Sequence, residues 1–319
     1  MIPMQSDSTP YCLKRHSLQA VGVHSTTAPK TMLLFGLPFF GFGLYFTLGS
    51  LGLVPFDESR VNGPVWLVTA AGLVFLMAGL MIWSMGLQQA RVLWAVNKLK
   101  HRYPNDAAMA DYPWDRNGFS PPRWTPVRKS MVACLFIIVF ASIPNYLAYE
   151  SAPTPWILSL SAITMNLIVI AVFVHLLRTI WHAVKFGRTR LHYPHFPLVP
   201  GESVELEVEL PPSIRKGESA RLHLRCLKEF YITSGSGKNR SKRLVHEVIY
   251  EATQTLDAAD LAARPGRVSA RFDLPDDQPA TRIQGDPPHY WELEMLLKVP
   301  GLDLNQQFLI PVYEPTDNH

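Results

Sequence analysis

Three side chains near residue 180 invite a chemical reading first. His175, Arg178 and His182 stand at i, i+3 and i+7, a spacing that sets them on one face of a helix. Two imidazoles and a guanidinium so placed could hold a phosphate headgroup or another anion, or, through the imidazoles, a metal. The alternative is a basic face whose long side chains reach from an apolar surface toward water. Other constellations fail on spacing. Ser236-Gly237-Lys238 matches the end of a phosphate-binding loop, yet Ile232 occupies the first glycine position and Asn239 that of the magnesium-binding Ser or Thr. His192 and His195 flank a Tyr-Pro pair with no third ligand nearby, and Cys12, Cys134 and Cys226 form no CxxC pair. GxSxG, HExxH and GxGxxG are absent. The spacing therefore points to no catalytic residue, no cofactor and no metal site.

The elements that must carry these side chains follow from where charge is missing. The 319 residues include 30 Lys+Arg and 26 Asp+Glu, but none of them falls in 31–54, 64–90, 130–149 or 151–177. About 20 apolar residues in a helix cross a hydrocarbon layer of about 30 Å. Four spans are expected, at about 31–54, 64–90, 130–149 and 153–181, within a transmembrane domain of residues 31–186. A leader, 1–30, precedes them and is expected to be partly disordered. The second helix should run on to Tyr103, where Pro104 stops it. Trp66, Trp83, Tyr146, Trp156 and Trp181 suit the headgroup layer, and Pro38 and Pro144 are expected to bend their helices.

Orientation follows from the flanks, because cations resist transfer across an energised membrane. Lys14, Arg15 and Lys30 lie in the leader and eight Lys/Arg lie in 87–129, against only Arg60 in 55–63 and none in 150–155. Both termini and the loop 91–129 should face the cytoplasm. Small residues recur every seven positions in the first two spans, as Gly36, Gly43 and Ser50 and as Gly72, Gly79 and Gly86. Such stripes let two helix backbones approach closely, although apolar spans use glycine often for other reasons. Asn166 is the most polar residue at mid-span, and an interhelical hydrogen bond is its expected role. No ionisable group sits at membrane depth, which argues against a channel or transporter.

Past Gly187 the apolar period changes from 3.6 to 2. Val204, Leu206, Val208 and Leu210 alternate with Glu205, Glu207 and Glu209, as a strand with one dry face requires. The glutamate stripe reads as a solvated strand face or as a site for a cation or a basic partner. Similar runs at 188–193, 219–229, 243–253, 266–274, 289–299 and 306–313 bring the expected strands to seven, an all-β C-terminal sandwich over residues 187–319. This half carries 16 Lys/Arg against 19 Asp/Glu, which excludes a nucleic-acid footprint. Between spans and strands, 104–129 reads as an extended connector, with Trp114 and Trp124 lying on the bilayer surface or on the C-terminal domain. The loop 234–243 holds Lys238, Arg240, Lys242 and Arg243 and no apolar residue, so it is a candidate for contact with a lipid surface.

The order of parts carries a resemblance. Paired hairpins, a loop with Pro113-Trp114, the exit Phe186-Gly187-Arg188-Thr189-Arg190, and the ending Tyr290-Trp291-Glu292-Leu293, Pro300-Gly301-Leu302-Asp303 and Phe308-Leu309-Ile310-Pro311-Val312 are its residues. Together they resemble a bacterial multi-pass membrane protein family, filed as a domain of unknown function, in which a four-helix anchor precedes an arrestin-like β-sandwich. The resemblance implies a bacterial inner (plasma) membrane location and an interaction module, and it brings no catalytic residue. The expectation is a non-catalytic membrane-anchored adaptor or scaffold whose cytoplasmic sandwich binds a protein partner, with a homo-oligomer also compatible. The alternative is a lipid- or small-molecule-handling protein with a site at the cytoplasmic end of helices three and four.

Overall fold

The computed structural model describes residues 28–57, 64–150, 155–187, 189–212, 214, 217–234, 240–300 and 303–315. The leader positions Cys12, Lys14 and Arg15, the flank residue Arg60 and the loop residue Lys238 lie outside them, as do the side chains of Lys242 and Arg243. The described residues fall into two compact units. One comes from Ser25–Arg91 and Arg123–Val184, the other from Val92–Pro122 and Lys185–His319.

Four helices are long and apolar enough to cross a membrane: α1 (Pro29–Ser50), α2 (Val65–Arg102), α4 (Thr125–Glu150) and α5 (Trp156–Phe186). At 38 residues α2 is about 57 Å long, nearly twice a hydrocarbon layer. Pro29 opens α1, where its lacking N–H leaves no bond unmade. Few of the apolar side chains are buried within the bundle. Along α5, Ile157, Leu160, Ile163, Leu167, Ile170, Phe173, Val174 and Leu177 are all exposed. An apolar surface of that extent is stable where the solvent is itself apolar.

Glycines bring α1 and α2 together. A Cβ at Gly43 would lie 2.6 Å from Leu76 Cα, one at Gly79 2.6 Å from Phe40 N, and one at Gly72 2.8 Å from Thr47 N. Gly36 faces Trp83, and Gly86 faces Leu33 and Met32. All five stripe glycines are buried against the opposite helix, whereas a Cβ at Gly41 would meet nothing within 4 Å. Thr69 Oγ1 donates to Ser50 Oγ at 2.8 Å, closing one end of the seam. Near its other end Trp83 Nε1 donates to the Leu33 carbonyl at 2.9 Å, and the Trp83 ring stacks on Phe40. In α4 and α5, Asn145 and Asn166 exchange two amide hydrogen bonds of 3.1 and 2.9 Å. This reciprocal pair satisfies polar groups that an apolar surrounding would otherwise leave without partners. Trp66 of α2 meets Tyr146 of α4 edge-on, with ring centroids 4.1 Å apart.

The second unit is built on antiparallel sheets. Its strands are β1 (Arg190–His192), β2 (Ser203–Glu209), β3 (Ser219–Ser234), β4 (Ser241–Leu256), β5 (Arg267–Asp273), β6 (His289–Lys298) and β7 (Leu304–Ile310). They form a three-stranded sheet, β1-β2-β5, and a four-stranded one, β4-β3-β6-β7. A single apolar core draws Val204, Leu206 and Val208 from β2, Ala270 and Phe272 from β5, Leu222 and Leu224 from β3, Leu293 and Met295 from β6 and Phe308 from β7. The period of two puts the intervening side chains on the opposite faces. Glu205, Glu207 and Glu209 there meet Arg264, Arg267 and His192 at 3.1, 2.9 and 3.1 Å. The acidic stripe thus finds its partners within the chain, in largely exposed pairs that add little stability. A short helix, α6 (Ala258–Ala263), follows β4 and is closed by an Asp257/Asp260 capping box.

The stretch 104–129 departs from the extended connector expected of it. Asp106 caps a short helix, α3 (Ala107–Asp111), by accepting from Met109 N at 3.0 Å. Trp114 is buried in a second apolar cluster with Ala108, Met109, Leu227, Ile283, Tyr290 and Tyr313. Three alanines and a methionine favour a helix, but five residues show no apolar period and are too short to offset the cost of nucleation alone, so tertiary burial holds the turn. Trp124, on the other unit, is half exposed and lies beneath the Arg123 guanidinium, 4.8 Å from its ring centroid.

Candidate functional site

The basic face of α5 lies beside a cleft. The stripe Ala171, His175, Arg178 and His182 follows the i, i+4, i+7 spacing of one helix face. A cleft of about 440 Å³ is lined by Ala171, Val172 and His175 of α5 and by Lys129, Ser130 and Ala133 of α4. Its walls are mostly small apolar side chains, with an ammonium, a hydroxyl and an imidazole as the polar groups. The two helices run antiparallel, and the cleft lies where the second and third turns of α4 meet the middle of α5. Arg128, Lys129 and Arg178 are exposed, and none has an ion-pair partner among the described residues. Arg178 and His182 continue the stripe beyond the cleft lining, so the structure brings His175 to it and leaves the other two along the same face. Gly36, Gly43, Gly72, Gly79 and Gly86 serve packing, and Asn166 serves the amide pair. Arg240 is exposed just before β4.

A second polar constellation clasps α3 to the sheets. The Asp111 carboxylate accepts from Ile283 N at 2.7 Å, from Gln284 N at 2.9 Å and from the Tyr313 hydroxyl at 2.9 Å. Gln284 Nε2 donates to the Asp111 carbonyl at 2.6 Å, and Trp114 Nε1 donates to Tyr313 Oη at 3.1 Å. Burial and then the Asp111 charge push the Tyr313 phenol well above its ordinary value, so it acts here as a neutral donor and acceptor. Sequence reasoning reached Trp114 through its apolar surface but not Asp111. The one local signal for this turn was Asp106 at a helix N-cap position.

The third constellation lies on the face of the four-stranded sheet turned away from the core. Arg225 of β3 pairs in register with Glu251 of β4 and Glu292 of β6. Its guanidinium contacts Glu292 at 3.0 Å and also bonds Glu294, and these three side chains are only 5–9% exposed. Burial works against the Arg225 charge, but the two carboxylates outweigh it and raise its pKa. Nearby, His246 Nε2 meets Glu229 at 3.0 Å, with both side chains almost fully buried. His289 titrates below its usual range because of its burial and the Lys228 and Arg282 charges. Arg225 is matched by Glu292 and Glu294, and His246 by Glu229. From sequence they read as ordinary alternating polar positions, since nothing local marks that face for burial.

Cys134 and Cys226 are free and buried, and burial pushes the Cys226 thiol up to about 12. Among the described residues no group of three or more His, Cys, Asp or Glu could hold a metal ion. At the sheet edge, β4 is outermost in its sheet, is 16 residues long, and pairs only with β3 among the described residues.

No protein-family model and no curated protein matches the chain. Among solved structures it is similar to Spo0M, the sporulation control protein from Bacillus subtilis, at 19% identity and a TM-score of 0.26. That similarity covers 40% of this chain and 49% of the other, about half its length. A second similarity, to a β-glucosidase from Listeria innocua in complex with gluconolactone, has 15% identity and a TM-score of 0.16, covering 40% of this chain and 16% of that one. Overlaps this weak carry no argument about what the chain does.

Proposed function

We propose that this chain is a non-catalytic adaptor of the bacterial inner membrane, in which α1, α2, α4 and α5 anchor an arrestin-like β-sandwich that binds a protein partner. The membrane reading rests on the outward apolar faces of the four helices, which only an apolar solvent stabilises. The cytoplasmic placement of the leader and the sandwich rests on the cation count of the flanks. The sandwich reading rests on two antiparallel sheets of three and four strands sharing one core.

The single observation that carries the binding role is the β4 edge. A long outermost strand presents a row of backbone donors and acceptors to which a partner's extended segment can add. A photo-crosslinking residue at Glu247, Ile249, Glu251 or Thr253 in the full chain, activated in intact membranes, tests it. One partner crosslinked at all these edge positions, and lost when Thr253→Pro blocks pairing, is the expected result. Adducts of equal yield from α6 and β5, or none from β4, would refute it. The lipid-handling alternative draws on a different observation, the cleft between α4 and α5.

A further inference from the structure

We infer that the cleft between α4 and α5 binds an anionic phospholipid, with the phosphate held by Lys129, Ser130 and His175 and one acyl chain lying along Ala133, Ala171 and Val172. The inference rests on membrane placement of the two helices and is independent of the adaptor reading.

Charge distribution selects the ligand's sign. Between Asp115 and Glu202 the only acidic residue is Glu150, at the far end of α4 from the cleft. Every Lys or Arg in α4 and α5 lies at the other end: Arg128, Lys129, Arg178 and Lys185. Arg128, Lys129 and Arg178 have no carboxylate partner among the described residues and are exposed, so they present unneutralised positive charge beside the cleft. The lining then selects the ligand's shape. The ammonium, hydroxyl and imidazole supply donors for phosphate oxygens, while three small apolar side chains leave a groove of about 440 Å³ that no chain atom fills. A soluble anion would use the donors and leave the apolar walls without an occupant. A phospholipid uses both, because its phosphate and chain are joined at the depth where the lining changes character. Arg178, farther along the same face of α5, extends the positive field to the outer headgroup, and His182 beyond it adds a polar ring.

The test uses the full chain. It is purified in detergent, equilibrated with equal amounts of phosphatidylglycerol and phosphatidylcholine, and its retained lipids are counted by native mass spectrometry. A basic side chain at an anionic surface contributes about a fivefold preference. Wild type is therefore expected to favour phosphatidylglycerol by about 25-fold or more, Lys129→Gln to lose about fivefold of that, and Lys129→Gln/Arg178→Gln about 25-fold. Ala171→Phe fills the groove without altering charge, and since Ala171 is exposed the substitution does not disturb the helix seam. It should abolish retention, and Ala133→Phe on the opposite wall should do the same if the first variant fails to fold. Equal retention of the two lipids by wild type would overturn the inference. So would a preference that survives groove filling, release of the lipid by millimolar inorganic phosphate, or a lipid-free dimer that groove filling dissociates. None of these results bears on crosslinking at β4, so the two readings fail separately.

Discussion

Replacing Asp111 with alanine should free residues 107–114 from the β unit while leaving both sheets folded. The carboxylate accepts from two backbone N–H groups, of Ile283 and Gln284, and from the Tyr313 hydroxyl. A hydrogen bond to a charged group contributes about 1.5–3 kcal/mol, and three sharing one partly buried carboxylate sum to less than three times that, so we take about 3 kcal/mol for the clasp. At 1.4 kcal/mol per decade this accelerates local opening roughly 100-fold. Hydrogen exchange followed by mass spectrometry on the full chain reads it at the amides of Ala110, Tyr112 and Trp114, whose acceptors are the carbonyls of Asp106, Ala108 and Tyr112. Protection in β3 and β6 should not change. Asp111→Asn keeps one acceptor oxygen but turns an amide N–H toward the second donor, so its effect should be intermediate. Tyr313→Phe removes one donor and one acceptor, worth about 1 kcal/mol each and non-additive, and should accelerate exchange about tenfold. Exchange in Asp111→Ala within threefold of wild type would refute the account, because the apolar burial of Trp114 alone would then hold the segment.

Three other outcomes follow from the same geometry. Gly79→Leu should separate α1 from α2 and lower the yield of a disulfide engineered across the seam, whereas Gly41→Leu, where a Cβ meets nothing within 4 Å, should leave it unchanged. Arg225→Met leaves Glu292 and Glu294 buried beside a neutral side chain, a loss of about 3–5 kcal/mol measurable by denaturant unfolding followed through loss of amide protection in β3 and β6. With its thiol pushed up to about 12 from an ordinary 9.0, Cys226 is neutral in the folded chain at pH 8, and alkylation should occur only on unfolding. Because the folded form holds the proton more tightly, its contribution to stability is complete below pH 9 and is lost as pH rises toward 12.

The helical seam and the strands were legible because each depends on a period. Gly72, Gly79 and Gly86 repeat every seven residues, so one helix face is smooth whichever helix it meets. Val204, Leu206 and Val208 alternate with glutamates, so one face of the strand is dry whichever sheet receives it. The basic face of α5 was legible for the same reason, since His175, Arg178 and His182 need only their own helix. Half of the cleft was not. Lys129, Ser130 and Ala133 belong to it because α4 and α5 pack antiparallel, which no local pattern of either helix records. The segment around α3 was misread because five residues give no period to detect. The buried Arg225 cluster escaped notice because charged side chains at alternate strand positions look the same whether water or protein covers them.

The order of residues by itself determined which stretches seek an apolar solvent, which alternate as strands, and which enzyme motifs are absent. These are properties of neighbouring side chains sorting between water and an apolar phase, and such sorting needs no knowledge of the rest of the chain. Only the tertiary structure decided the partners. Trp114 and Tyr313 are 199 positions apart, and Asp111 and Ile283 are 172 apart. Contacts at that separation depend on how two sheets and a helix end close around shared cores, and local pattern holds no record of that closure.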